Sequence, residues 1–250
     1  MRGFHLNLCD IHNHVLFGVD DGSENREMTI EMLKSYHEEG IHTIIATPHY
    51  NPAIWPVDRE ILRERFEEVK QLSEMVSPDF SLYLGCEVFH HREETLEDLK
   101  NDRVLTMADS RYLLIEFPFH ATYDRIRRGV TEAILTGHIP ILAHVERYDC
   151  LLEDEERIHD LRSEGALIQV NAGSVTGMSG SDVKRFTHSL LKYGTVDFVA
   201  TDAHKSTGRR TPKLRDCAKL IAKKFGSAYA TRIFVYNPKC VIEDMEIDTF

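Results

Sequence analysis

The chain has 250 residues, of which 42% are hydrophobic, and a formal net charge of −11 at pH 7. That length fits one α/β barrel domain, and the apolar fraction builds a core and excludes a disordered chain. The acidic balance argues against a nucleic-acid partner. No stretch approaches the roughly 20 apolar residues of a membrane helix, and the N-terminus lacks the apolar segment and cleavage site of a secretory signal. The expectation is one domain over 1–250, cytoplasmic and not inserted in a membrane. Cys9, Cys86, Cys150, Cys217 and Cys240 are scattered with no C-x-x-C pair, which argues against a disulfide framework and a thiolate zinc knuckle.

In chain order, Leu6–Val15 reads as a strand running into a loop, and Glu24–Glu39 as a helix stopped by Gly40. Thr43–Ala46 is a short buried strand. Asp58–Met75 is a helix with Asp58 at its N-cap. Leu82–Val88 and Arg111–Phe117 are strands, and Tyr123–Thr136 is a helix ending at Gly137. Ile139–Ala143 (strand), Glu153–Glu164 (helix) and Ala166–Val170 (strand) follow. After them come a Gly/Ser-rich loop, a helix over 181–193, the strand Val196–Ala200 and the helix Leu214–Phe225. The strands are short, continuous and aliphatic, as in a parallel sheet buried on both faces. The spacing predicts a seven-unit (β/α) barrel, with an open doubly wound sheet as the alternative.

Polar residues fall just past the strands. The first strand leads into His12, His14, Asp20 and Asp21, the second into His49, and the third reaches Glu87. The fourth carries Glu116, the fifth runs into His144, Glu146 and Arg147, and the seventh into Asp202, His204 and Arg209. In parallel barrels these ends form the active face. Imidazole and carboxylate together suit manganese, iron, zinc and similar ions. His12 and His14, two residues apart on a strand, are expected on one side of it. Several ions held together clamp a phosphoryl group and lower the pKa of a bound water, so no protein nucleophile is needed. Singly, each residue has a structural reading: His49 as a turn histidine, Glu116 as an ion-pair partner, Asp20-Asp21-Gly22 as a turn. Glu87, Glu116 and Asp202 buried without partners would be costly, and their coincidence at one rim favours a ligand set. His5, His37, His42, His138, His159 and His188 read as surface or helix residues, and His90 and His91 are left open. Arg147 and Arg209 are expected to bind a phosphate, since guanidinium does so bidentately. Cys86 to Arg92 matches the C-x5-R spacing of cysteine phosphatases, but the bulky residues between and the acid at 87 argue against that chemistry.

The ordered set Asp10-Ile-His-Asn-His14, Val19-Asp-Asp-Gly22, Ala46-Thr-Pro-His49, Leu114-Ile-Glu-Phe117, Ala143-His-Val-Glu-Arg-Tyr148 and Thr201-Asp-Ala-His204 resembles the polymerase and histidinol phosphatase (PHP) superfamily. More closely, it is similar to the manganese-dependent protein-tyrosine phosphatases of bacterial capsule and exopolysaccharide loci. The resemblance spans Asp10 to about Lys239 and implies a distorted seven-stranded barrel holding three metal ions. By motif, His12, His14, Glu87 and Asp202 would hold the first ion. Glu87, Glu116 and His144 would hold the second, with Glu87 bridging, and Asp21, His49 and His204 the third. The ions implied are manganese, with iron, zinc or magnesium as alternatives, and Arg147 and Arg209 would grip the phosphate. The implied substrate is the phosphotyrosine tail of a bacterial tyrosine autokinase. Asp21 or a neighbouring histidine would assist proton transfer. The competing readings are a phosphatase of a small phosphomonoester such as histidinol phosphate, and a nuclease that the acidic surface disfavours. The residues before Asp10 extend beyond the resemblance, and no role follows for Gly173 to Gly180.

Overall fold

The computed structural model describes residues 6–91 and 93–248; His5 and Arg92 lie outside them. The strands are β1 (Leu8–Asp10), β2 (Ile41–Ala46), β3 (His49–Tyr50), β4 (Ser81–Leu84), β5 (Glu87–Phe89), β6 (Tyr112–Glu116), β7 (Ile139–Leu142), β8 (Leu167–Asn171) and β9 (Phe198–Ala200). All their pairings are parallel. They form two sheets, in the orders β1-β2-β4 and β3-β5-β6-β7-β8-β9.

The helices are α1 (Arg26–Glu39), α2 (Arg59–Val76), α3 (Glu93–Lys100), α4 (Tyr123–Leu135), α5 (Asp149–Glu153) and α6 (Glu156–Ser163). They continue with α7 (Ala172–Thr176), α8 (Ser181–Lys192), α9 (Arg215–Phe225), α10 (Ser227–Thr231) and α11 (Asn237–Ile242). Asn25 and Asp58 cap α1 and α2 by accepting from the Met28 and Ile61 amides. Gly40 closes α1 at φ 73°, a conformation that costs a side chain and suits glycine.

The strand count departs from expectation. The predicted strand 82–88 is broken in two and a further short strand, β3, follows the predicted strand 43–46, leaving nine strands in two sheets rather than seven in one barrel. β2 ends at Ala46, because Thr47-Pro48 cannot continue a ladder without the proline N–H, and the chain re-enters a sheet at His49. The predicted strand 82–88 breaks at Gly85-Cys86, where a side chain on Gly85 would lie 3.0 Å from the Met107 backbone. The breaks are stitched side by side: Gly85 N donates to Ala46 O (2.8 Å) and Glu87 N to Pro48 O (3.0 Å). At the other seam, Asn13 and Ala203 form a parallel bridge, and Asp202 N donates to His12 O (2.8 Å). Asp10 ties the same seam, accepting from Thr201 N and Oγ1 and from Tyr36 Oη. The predicted helix 153–164 is α6, starting three residues later and preceded by the short unpredicted helix α5, and the Gly/Ser-rich loop contains α7.

Period-two alternation decides which side chains enter the curled interior. Tyr112 and Leu114 of β6 join Ile11, Ile45, Ile141, Leu167 and Phe198 in an inner apolar cluster, while Leu113 and Ile115 pack outward in the larger one. Continuing the inner parity carries Glu116 to the C-terminal end of that interior. The same parity carries Leu167 to Gln169 and Asn171, and Phe198 through Ala200 to Asp202. The polar cluster is thus the capped end of the inner core.

Candidate metal centre

Glu87 sits at the middle. Its Oε2 lies 3.1 Å from His12 Nε2, 3.3 Å from His14 Nε2 and 3.2 Å from His49 Nδ1, and its Oε1 is 2.9 Å from His144 Nε2. Glu116 reaches the same two outer imidazoles, His49 and His144, each at 3.4 Å. Asp202 Oδ1 lies 3.6 Å from His12 and 3.7 Å from His14. Asp21 Oδ1 lies 3.4 Å from His49 Nε2 and 3.3 Å from His204 Nε2. All nine predicted ligands therefore meet in one place.

Three groupings put their donor atoms within 4.8 Å of one another: His14, Asp21, His49 and His204; His12, His14 and Glu87; His49, Glu87 and Glu116. His14 and His49 are shared between groupings, whereas the motif sets keep each histidine with one ion. His144 and Asp202 adjoin these groupings through the contacts above. The strand β1 ends before His12, so the expected same-side placement on a strand is replaced by a loop. Asn13 anchors that loop, its side chain donating to Ile45 O (3.0 Å) while Thr47 Oγ1 accepts its N–H; His12 and His14 still converge.

The donor chemistry fits divalent ions. His12 Nε2, His14 Nε2, His49 Nδ1 and His204 Nε2 are buried nitrogens without a hydrogen-bond partner, each aimed at carboxylate oxygen. The opposite ring nitrogens of three of them are engaged: His12 Nδ1 with Gln169 Oε1 (3.2 Å), His14 Nδ1 with Asp20 Oδ2 (2.7 Å) and His204 Nδ1 with Asp202 O (3.0 Å). A nitrogen held by such an acceptor carries the proton and leaves the other with a free lone pair, the usual arrangement behind metal-binding histidines.

Burial alone would drive these imidazoles neutral and these acids protonated. For His49, burial is opposed by Glu87, Asp21 and Glu116, which raise its pKa to about 11. The same contest leaves His144 at about 10, through Glu116 and Glu87, and His14 at about 9, through Asp20. His204 goes the other way, to about 4, from burial and then the adjacent His14. Glu87 is held well below the carboxylate range, with His12 and His49 overcoming its burial, and Asp202 likewise, through His12 and Arg210.

Several participants escape sequence reasoning. Asp20 is the strut behind the site, accepting from Gly22 N, His49 N and His14. Gln169 accepts from His144 N (2.7 Å) and donates to Asn171 Oδ1, and Asn171 Nδ2 donates to Asp202 Oδ2 (both 2.9 Å). The signal for Gln169 was a polar residue inside an aliphatic strand. Among the arginines, Arg147 Nη1 reaches Asp202 Oδ2 at 3.4 Å. Arg209 is exposed and lines an adjoining cavity of about 660 Å3, and its neighbour Arg210 is the one that contacts the cluster, 2.7 Å from Asp202 Oδ1. Cys86 is buried and its thiol is pushed up to about 12, chiefly by that burial, which removes it as a nucleophile; Arg92 of the same motif lies outside the described residues. All five cysteines are free and buried. His90 and His91 turn away, to Glu132 and Asn51. Among the described residues no helix is long and apolar enough to cross a membrane.

Residues 8–243 match the family model described as capsular polysaccharide synthesis, CpsB/CapC. The chain is 33% identical over 245 residues to the tyrosine-protein phosphatase CpsB of Streptococcus pneumoniae, covering 96% of this chain and 100% of that protein. It is 32% identical over 222 residues to the tyrosine-protein phosphatase YwqE of Bacillus subtilis, covering 88% and 86%. One chain from a study of the crystal structures of YwqE from Bacillus subtilis and CpsB from Streptococcus pneumoniae, described as metal-dependent tyrosine phosphatases, superposes with a TM-score of 0.89 at 29% identity, covering 96% of each chain.

Proposed function

The chain belongs to the CpsB/CapC capsular polysaccharide synthesis family, and on that premise we propose that it is a metal-dependent tyrosine phosphatase working at the cluster around Glu87. The observation that carries this reading is the set of buried, unpartnered imidazole nitrogens facing carboxylates. Such groups are costly in a folded core unless something binds them.

His12, His14, Glu87 and Asp202 would hold one ion, Glu87, Glu116 and His144 a second, and Asp21, His49 and His204 a third. Manganese suits this mixed imidazole and carboxylate set. Bound there, divalent ions supply Lewis-acid activation of the phosphoryl group and of the attacking water. The protein's own part is positioning. Arg147 and Arg209 provide guanidinium groups on the C-terminal rim to orient the phosphate and neutralise its oxygens. Asp21 is half-exposed at the mouth, and although partial burial opposes it, His204 and His49 hold its carboxyl far below the usual range. An acid so firmly ionised holds no proton to donate and is a weak base, so its part is to orient His49 and His204, which leaves proton transfer to the tyrosyl oxygen to a histidine of the cluster. The two sheets would act together as a seven-stave barrel, with β2 and β3 counted as one stave and β4 and β5 as another, in a single domain.

The substrate is assigned as phosphotyrosine in the tail of a bacterial tyrosine autokinase that governs capsule or exopolysaccharide assembly, a cytoplasmic reaction. The test is turnover by the Mn²⁺-loaded protein on a phosphotyrosine peptide and on histidinol phosphate, before and after chelation. Chelator-sensitive preference for the peptide is expected. A preference for histidinol phosphate by orders of magnitude would overturn the tyrosine assignment.

A further inference from the structure

We propose that the cleft walled by Trp55, Ile54 and Phe119 is a subsite for the phenyl ring of the substrate, and that this cleft sets a preference for aryl over alkyl phosphomonoesters. This rests on the phosphatase reading above and deepens it. A cavity of about 400 Å3 adjoins the cluster, lined by His49, Glu87, Glu116 and His144 together with Arg147 and Arg210. Its walls come from two separate loops. One, following β3, contributes Ile54 and Trp55; the other, following β6, contributes Phe119. A phosphate seated among these groups would set its ester group beside these walls.

Three features suit an aromatic ring. First, Ile54 is 62% and Phe119 39% exposed, so both apolar side chains are open to a ligand in a cavity that the cluster also lines. Second, Trp55 is already fixed. Its ring stacks on His49 with centroids 4.8 Å apart and planes 7° from parallel. Its loop is closed by Ile54 N and Trp55 N, which donate to Asn51 O (3.0 and 2.8 Å), while Asn51 Oδ1 pairs with His91 Nε2 at 2.9 Å. Third, Arg147 lies over the Phe119 ring, 4.1 Å from its centroid, so the arginine proposed to orient the phosphate also sets the wall that meets the ring. A subsite held in advance loses little freedom on binding, and each well-placed aromatic pair contributes up to about tenfold in affinity. An alkyl phosphate offers the same phosphoryl group to the cluster but no ring face to these walls.

Trp55 is the only tryptophan in the sequence, so its fluorescence reports on this cleft alone. With Mn²⁺-loaded full-length protein, phenylphosphonate is expected to change the emission saturably, and methylphosphonate to leave it unchanged at equal concentration. In steady-state assays, Phe119→Ala should reduce the ratio of kcat/KM for p-nitrophenyl phosphate to that for glycerol 3-phosphate by about tenfold, and Ile54→Ala should reduce it in the same direction through lost apolar burial, both mainly through KM for the aryl ester. Ile54 makes no ring contact with a proposed ligand, so Ile54→Ala should keep wild-type metal content, whereas the Phe119 ring lies edge-on to His144 with centroids 6.1 Å apart, so kcat/KM for Phe119→Ala is compared per bound metal. Trp55→Phe, which retains a ring over His49, should keep most of the preference. An unchanged ratio in both alanine variants, or equal fluorescence responses to the two phosphonates, overturns the subsite. A wild-type protein that hydrolyses neither ester yet responds selectively to phenylphosphonate would instead overturn the phosphatase reading and leave the subsite standing.

Discussion

Gly22 lies against the back of His14, and its replacement by alanine isolates ligand geometry from overall stability. A Cβ at position 22 would stand 2.3 Å from His14 Cβ, 2.4 Å from His14 O and 2.9 Å from Asp20 Oδ1. Carbon–carbon contact sits at about 3.5–4.0 Å, so a shift of more than about 1 Å is required. The obstacle is backbone rather than a flexible side-chain end. His14 is pinned from three directions: its N–H to Ala203 O (2.8 Å), its carbonyl from Ser23 N (3.0 Å) and its Nδ1 to Asp20 (2.7 Å). Overpacking of this kind costs about 1–3 kcal/mol, a fraction of the roughly 5–15 kcal/mol that a domain holds, so Gly22→Ala should still fold. Metal geometry is less forgiving, with ligand distances good to about 0.2 Å, and a 1 Å misplacement is worth about 10²-fold in turnover. Gly173→Ala is the matched control, because its Cβ meets only Met178 at ordinary contact, 3.6 Å, and lies within α7. Metal content by mass spectrometry, turnover on p-nitrophenyl phosphate and thermal melting should be measured side by side. Folded Gly22→Ala with depleted metal and about 10²-fold less activity is expected. Full metal content and near-normal turnover would refute the reasoning that His14 is a ligand held in place from behind.

Other outcomes follow from the same geometry. Adding Mn²⁺ at about 100 times its dissociation constant should stabilise the fold by about 2.7 kcal/mol, raising Tm by about 5–10 °C in a chain of this size, and EDTA should reverse it in a thermal-shift assay. Arg147→Ala and Arg209→Ala should each lower kcat/KM by about 10²-fold if both grip phosphate. Arg210→Ala, which frees Asp202 from a 2.7 Å contact, should tighten metal binding in a titration with a competing chelator. The opposite ranking, Arg209→Ala silent and Arg210→Ala crippled, would assign the phosphate to Arg210. His90 carries a pKa below its ordinary 6.5, first through burial and with Glu132 opposing. Below about pH 6.5 the unfolded chain takes up a proton that folded His90 refuses, so stability is full above that pH and lost as pH falls toward the folded pKa. Urea midpoints from pH 7.5 down to 5.5 should therefore fall further for the wild type than for His90→Gln.

The legible parts of this protein were those where periodicity and chemistry agree. An acid at the end of an aliphatic strand, as in the run Tyr112–Glu116, can only sit at the end of a buried interior, and Glu116 does. What stayed hidden was decided by tertiary contacts. Gly85-Cys86 interrupts its apolar run too briefly to show as a break, and the return of the chain to a sheet at His49 depends on the bonds of Gly85 with Ala46 and Glu87 with Pro48 that hold the two interruptions side by side. Asp20 and Asp21 are chemically identical neighbours. One faces inward as a strut and the other outward to His49 and His204, a choice made by turn geometry. Arg209 and Arg210 pose the same problem. His204 N and Lys205 N both donate to Arg210 O at 2.9 Å, and that turn sends Arg210, rather than its neighbour, to Asp202.

Backbone strain sits beside this chemistry. His144 and Asp202 adopt left-handed conformations, at φ 33° and 52°, which cost a side-chain-bearing residue about 1–2 kcal/mol. Each is held there by a single directed hydrogen bond from its own amide: His144 N to Gln169 Oε1 (2.7 Å) and Asp202 N to His12 O (2.8 Å). The acceptors belong to the site itself, since Gln169 also orients His12. The strain at His144 turns the chain sharply after β7 into the tight turn Val145–Arg147. That turn delivers an imidazole to Glu87 and, three residues later, a guanidinium to Asp202. An extended residue at position 144 would carry Arg147 onward along the strand direction and away from the rim. The left-handed turn is therefore what lets one short segment supply both a proposed metal ligand and a proposed phosphate ligand. Gln169, through its grip on the His144 amide and the His12 ring, is the residue that keeps them in register.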